Sequence, residues 1–288
     1  MFKIMWIASL ASLLALVSST PDRCVCQPED SCWPSTDDWN TFNNTVGGKL
    51  QVIHPLGTPC HDPTFNSATC QYINENYSNS TWKSMFIGNF NSIGLTSGAL
   101  QQTNWEVNTT LNQTCYVDTS RTIPCGQGNL PVYGVAVESA DDIAATILFG
   151  SARNLRIVIK NTGHDYLGRN TARGALSIWT HKMQNITFSN NFVPEGCGGI
   201  GVGTTVTIAA GVQLADLYYA VAQKNQSVVI GMAHSVGAAG GYIQGGGHSP
   251  MGNYAGMSTD NAVEFKIVTA DVSPSQTNLI PGKISRRK

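Results

Sequence analysis

The run Lys160-Asn161-Thr162-Gly163-His164-Asp165-Tyr166-Leu167-Gly168-Arg169 constrains this chain more than any other stretch. It is entered from Leu155-Arg156-Ile157-Val158-Ile159, short, apolar and β-branched at its end, which reads as a buried strand. That strand stops abruptly at Asn161-Thr162-Gly163. A loop at the carboxyl end of a strand, with Gly163 permitting close backbone approach and successive N–H groups free, is a place where a phosphate or diphosphate binds. His164 stands in the middle of it. Upstream, residues 131–137 read as a strand, and Ser139-Ala140-Asp141-Asp142 caps a helix running through Ile143, Ile147 and Leu148 to about Ala152. Strand, helix and the strand ending at Lys160 predict a βαβ unit with a parallel pair.

A dinucleotide-binding doubly wound sheet is the obvious rival, but its G-x-G-x-x-G opening a helix is absent after either strand. Further strands are expected instead at 176–180, 186–188, 204–212 and 227–230, with a helix over 214–221. More strands than helices makes the fold α+β, with two βαβ-like halves flanking one site. The second informative stretch is residues 237–249, which contains Gly237, Gly240, Gly241, Gly245, Gly246, Gly247 and His248. So little bulk suits close approach of main chain to a flat ring or a diphosphate. A flexible linker would lack the interrupting Tyr242 and Ile243.

Residues 161–169 resemble the pyrophosphate-binding loop of secreted fungal FAD-linked oxidases, the berberine-bridge-enzyme-like branch of the vanillyl-alcohol oxidase superfamily. The resemblance implies a PCMH-type FAD-binding domain of two α+β subdomains, with FAD between them. It implies covalent attachment of FAD through His164, cofactor contacts from Asn161, Thr162, Gly163, Asp165, Tyr166 and Gly168, and a flavin wall from Gly237, Gly245, Gly246, Gly247 and His248. It further implies hydride transfer from a small organic substrate to flavin, with dioxygen as acceptor. Many relatives carry a second anchoring Cys before the wall; here Ala233 stands at that place. Beyond Asp271 the family continues into a substrate-binding domain that has no counterpart in this chain, and no catalytic residue is assigned. An inactive flavin-binding remnant, or a truncated gene model of a larger enzyme, is the alternative.

Met1-Phe2-Lys3, the apolar run 4–17 and Ser18-Ser19-Thr20 have the order of a secretory signal peptide, too short to span a bilayer. The expected organisation is a signal peptide over 1–20, a cysteine- and sequon-rich segment over 21–124, and the FAD-binding domain over 125–288. Cys24, Cys26, Cys32, Cys60, Cys70, Cys115, Cys125 and Cys197 all follow the leader, which fits an oxidising compartment, with connectivity open. Disulfides are expected to hold the 21–124 segment together where a core cannot. Cys24 and Cys26 are too closely spaced for a zinc pair. Sequons at Asn43, Asn76, Asn79, Asn108, Asn112, Asn185 and Asn225 agree with a secreted glycoprotein. A formal net charge of -1, with 12% charged residues, leaves no basic stripe for nucleic acid, and no later stretch anchors the chain in a membrane.

Outside the loop, His54 and His61 are expected to be structural or exposed rather than catalytic, and His181 is expected to pack. A serine-hydrolase reading places Ser235, in Ala233-His234-Ser235-Val236-Gly237, at a nucleophile elbow with Asp260 or Asp271 as acid. It requires a His later in the chain, and none follows His248.

Overall fold

The computed structural model describes residues 24–86, 113–165, 167–196, 198–272 and 278–281. The expected leader, the sequons at Asn108 and Asn112, Tyr166 and Cys197 lie outside them. Helix α1 (Thr36–Thr45) begins at a capping box, in which the Ser35 hydroxyl accepts from Asp38 N–H and the Asp38 carboxylate accepts from Ser35 N–H. Strand β1 (Leu50–Val52) follows, then α2 (Ser67–Asn76) and α3 (Ser80–Ser84), capped by the side chains of Asn66 and Asn79. Next come β2 (Tyr133–Ala136), α4 (Ala140–Ala152), β3 (Ile157–Lys160) and β4 (Leu176–Trp179). Ser139 and Asp142 form the capping box expected for α4. Asp142 also receives Lys49 Nζ at 2.9 Å, tying that cap to the residue before β1.

These strands form one sheet in the order β1-β2-β4-β3. Strand β1 runs antiparallel to β2, while β2 and β3 each run parallel to β4. The expected direct pairing of β2 with β3 is therefore corrected: the crossover through α4 skips a position, and β4 fills it. The reason is burial. All four residues of β4 are buried, as a central strand requires, whereas β3 is an edge strand with Ile159 exposed.

One face of this sheet packs against α4 and α1. Phe42 stacks on Phe149 with centroids 4.0 Å apart, and Trp39 lies 4.2 Å from Tyr133. Trp39, Phe42 and Val46 join Val135, Leu176 and Ile178 in one cluster. The expectation that disulfides replace a core in the 21–124 segment is thus corrected, because its aromatic residues are part of the core. Three bridges, Cys26–Cys32, Cys60–Cys70 and Cys115–Cys125, close local loops. Among the described residues Cys24 is a free, exposed thiol. His61 is fully buried, its ring nitrogens 2.8 Å from Ile123 O and 2.9 Å from Tyr116 O, which locks the loop after Pro55 to the third disulfide loop.

The second half starts with the antiparallel pair β5 (Ile186–Ser189) and β6 (Thr205–Ile208), covered by α5 (Leu214–Ala222). Leu214, Leu217 and Val221 of α5 pack with Val212, Ile230 and Ala238. Residues 227–230, expected as a strand, form no ladder among the described residues. Two of their carbonyls are taken by side chains instead: Ile230 O accepts from Tyr218 Oη, and Val229 O from Ser258 Oγ. The chain then makes a π-type turn over Ala238–Tyr242, a short helix α6 (Gly252–Ala255), and an antiparallel pair of β7 (Glu264–Ile267) with β8 (Asn278–Pro281).

Replacing Phe42 by Ala empties the stacking position on Phe149, and urea unfolding is expected to show a loss of about 3–5 kcal/mol with an unchanged slope.

Candidate functional site

Strand β3 ends at Lys160 and the chain turns away at once. Asn161 is the residue on which the turn closes. Its carbonyl accepts from Trp179 Nε1 at 2.9 Å, its Nδ2 donates to Ala210 O at 2.9 Å, and its Oδ1 lies 3.3 Å from His181 Nδ1. A Cβ built on Gly237 would come within 2.1 Å of the same Nδ2. One short side chain thus joins the ends of β3 and β4 to the segment after β6 and to the start of the glycine-rich stretch.

Beyond Asn161, Thr162 is buried and Gly163 adopts φ +92°, a conformation open to glycine. The backbone N–H groups of Thr162, Gly163 and His164 make no hydrogen bond to any described residue. Asp165 then closes the loop, its carboxylate accepting from Arg169 N–H at 2.6 Å and from Arg169 Nε at 3.1 Å. Arg169 holds that carboxyl below its ordinary range. Asp165 and Gly168, at φ +70°, therefore shape the loop from within.

His164 is half-buried, with Nε2 2.9 Å from Ser235 Oγ, and burial lowers its pKa, so the ring is neutral near pH 7. Ser235 is buried and Gly237 lies against Asn161, so the structure brings the start of the glycine-rich stretch to the loop. The later residues make other contacts. Gly246 and Gly247 take φ +99° and +70° against Met257 and Ser258, and His248 is exposed, its carbonyl accepting from Tyr242 Oη.

Two features carry no signal in local sequence spacing. A hydrolase order of Ser235, then Asp260 or Asp271, then His finds no His after the acid, and the imidazole beside Ser235 comes instead from the earlier loop, as His164. Among the described residues, however, Nδ1 of His164 has no partner, so no acid completes a triad. The other is Lys160, an ionisable residue closing an apolar strand. It is 4% exposed, its Nζ has no partner among the described residues, and it lies 5.6 Å from the Trp179 ring centroid. Burial pushes its pKa down to about 7. His181, stacked on Trp179, is pushed down to about 4 by burial and then by Lys160 and Lys182.

The anionic part of a flavin dinucleotide needs donors without competing partners and main chain free of side-chain bulk. The open N–H groups of residues 162–164, the unpartnered Lys160 amine and the bare backbone at Gly237 fit that need. A metal has weaker support. Among the described residues the grouped ligand atoms are those of Cys26, Asp30 and Cys32, whose sulfurs are joined in a disulfide. No helix among the described residues is long and apolar enough to cross a membrane.

Residues 131–273 match the family model described as an FAD binding domain. The chain is 48% identical over 268 residues to an uncharacterized FAD-linked oxidoreductase of Arthroderma benhamiae, covering 92% of this chain and 44% of that protein. It is 40% identical over 245 residues to the FAD-linked oxidoreductase patO of Aspergillus clavatus, covering 85% of this chain and 39% of that one. Among solved structures it is similar to the VAO-type flavoprotein MtVAO615 of Myceliophthora thermophila C1, with a TM-score of 0.75 at 33% identity, over 89% of this chain and 43% of that one. The chain is therefore a relative of FAD-linked oxidoreductases of the vanillyl-alcohol oxidase type and carries a mixed α+β, PCMH-type FAD-binding domain. It spans less than half the length of these curated relatives.

Gly237→Ala is expected to lower stability by about 1–3 kcal/mol in chemical denaturation, through overlap with Asn161. Added to Asn161→Ala, the same change should cost less than it does alone, because the obstructing amide is gone. Lys160 gives a pH signature. The unfolded amine binds a proton below about pH 10.4, the folded one only below about 7, so stability rises with pH between those values. Lys160→Met should flatten that rise and stabilise the protein most at pH 7 and below.

Proposed function

We propose that the chain holds FAD at the 161–164 loop, attached covalently through His164, as the flavin-binding part of an oxidase acting on a small organic substrate. The observation that carries the reading is a half-buried imidazole beside backbone donors that have no partner among the described residues, inside the region matching an FAD-binding domain. When bound, FAD supplies two-electron chemistry, taking hydride from substrate and passing the electrons to dioxygen to give hydrogen peroxide. The N–H groups of Thr162, Gly163 and His164 bind the diphosphate, with the Lys160 amine adding positive field from beneath. Gly237 keeps side-chain bulk away, and Asn161 fixes the two walls of the site relative to each other. The wall extends to Gly245, Gly246, Gly247 and His248. The expected leader and the three disulfides support export to an oxidising compartment, and the sequons add glycosylation to that reading.

Because the chain spans less than half of its relatives, turnover separates from binding. A second reading has flavin held without catalysis. Peroxide release on addition of a panel of small alcohols distinguishes it from the first.

The secreted chain is expected to be yellow and to keep flavin fluorescence on a denaturing gel. His164→Ala should lose the denaturation-resistant label; retention of that label at the parental level would sink the assignment.

A further inference from the structure

We propose that Ser235 is the positioning residue for His164: its hydroxyl accepts the Nε2 proton and leaves Nδ1 as the nitrogen available for bonding. The inference rests on the covalent reading above and deepens it. A neutral imidazole has one N–H and one lone pair, so whichever nitrogen is held as donor decides which one reacts. His164 is kept neutral by burial, and its Nε2 lies 2.9 Å from Ser235 Oγ. Among the described residues nothing engages Nδ1.

The hydroxyl is not free to drift. Ser235 is 2% exposed, and the main chain on either side of it is bound to the first turn of α5: His234 O accepts from Ala215 N–H at 3.0 Å and Val236 O from Leu214 N–H at 2.9 Å. An isolated bridge between Gln213 and Gly237 continues the contact. With Ala233 in place of a thiol, attachment depends on this one ring, and its orientation then matters all the more.

A bond forms between Nδ1 and the methyl carbon on the flavin ring, and a methyl C–H bond breaks. The methyl hydrogen and the Nε2 proton leave, and the two electrons released pass through the flavin to dioxygen, which becomes hydrogen peroxide. Ser235, having accepted from Nε2–H, can rotate to donate to the lone pair left on that nitrogen.

Two readouts test this on the 288-residue chain. Nitrogen-15 NMR of the flavin-free, histidine-labelled protein should show His164 protonated at Nε2, and a mixture of tautomers in Ser235→Ala. On incubation with FAD, Ser235→Ala should form the denaturation-resistant adduct at least about tenfold more slowly, the loss expected when one positioning hydrogen bond is removed. Ser235→Thr should recover most of the rate. An Nδ1–H tautomer in the parent overturns the proposal without any variant, as does labelling of a folded Ser235→Ala at the parental rate. A parent that binds FAD without covalent label overturns both the histidyl reading and this one, whereas failure of the Ser235 variants alone to differ leaves the histidyl reading standing.

Discussion

The side-chain amide of Asn161 is the contact on which the rest of the site depends. It hydrogen-bonds to Ala210 O and lies beside His181, while the main-chain carbonyl of the same residue accepts from the Trp179 indole. These partners belong to two separate stretches of chain, residues 179–181 and residue 210. Each hydrogen bond contributes only about 1 kcal/mol on its own. Their value is geometric: buried donors and acceptors tolerate little displacement, because losing a partner in a dry environment costs more than the bond contributes. Gly237 meets the same amide, so the two walls are set apart by the thickness of one side chain.

Around that contact the structure leaves groups unsatisfied that a closed core would pair. The Lys160 amine and the Ser177 hydroxyl, on the same face of the four-stranded sheet, are buried without partners among the described residues. The neighbouring loop presents open N–H groups. Buried polar groups are nearly always paired, and exceptions concentrate where a protein binds or reacts. The destabilisation carried by Lys160 is thus intelligible beside a site that takes an anionic ligand.

How much of this was legible beforehand follows from how local each determinant is. The capping box of α4, the strand into Asn161 and the glycine-bearing loop are short-range patterns, and the structure has them where periodicity and capping residues put them. The position of β4 between β2 and β3 was not, since strand order depends on which segment buries both faces, a tertiary property. Residues 227–230 have strand-like composition, yet side chains of Tyr218 and Ser258 compete successfully for two of their carbonyls. The Ser235 and His164 contact spans 71 residues, and no local spacing announces it. Lys160 did leave a trace, as a charged residue ending a run of Ile and Val, but its lack of a partner is visible only in three dimensions.

The bridges have a further consequence. Their partners lie 6, 10 and 10 residues apart, whereas β1 must find β2 across the register Leu50 to Val135. Short rings close at small entropic cost and quickly, while distant strands meet late. Oxidation can therefore run to completion in a molecule whose sheet has not assembled. For this protein, finding the six bridged sulfurs oxidised certifies chemistry and says nothing of topology, so quality control of purified material has to look at the aromatic core instead.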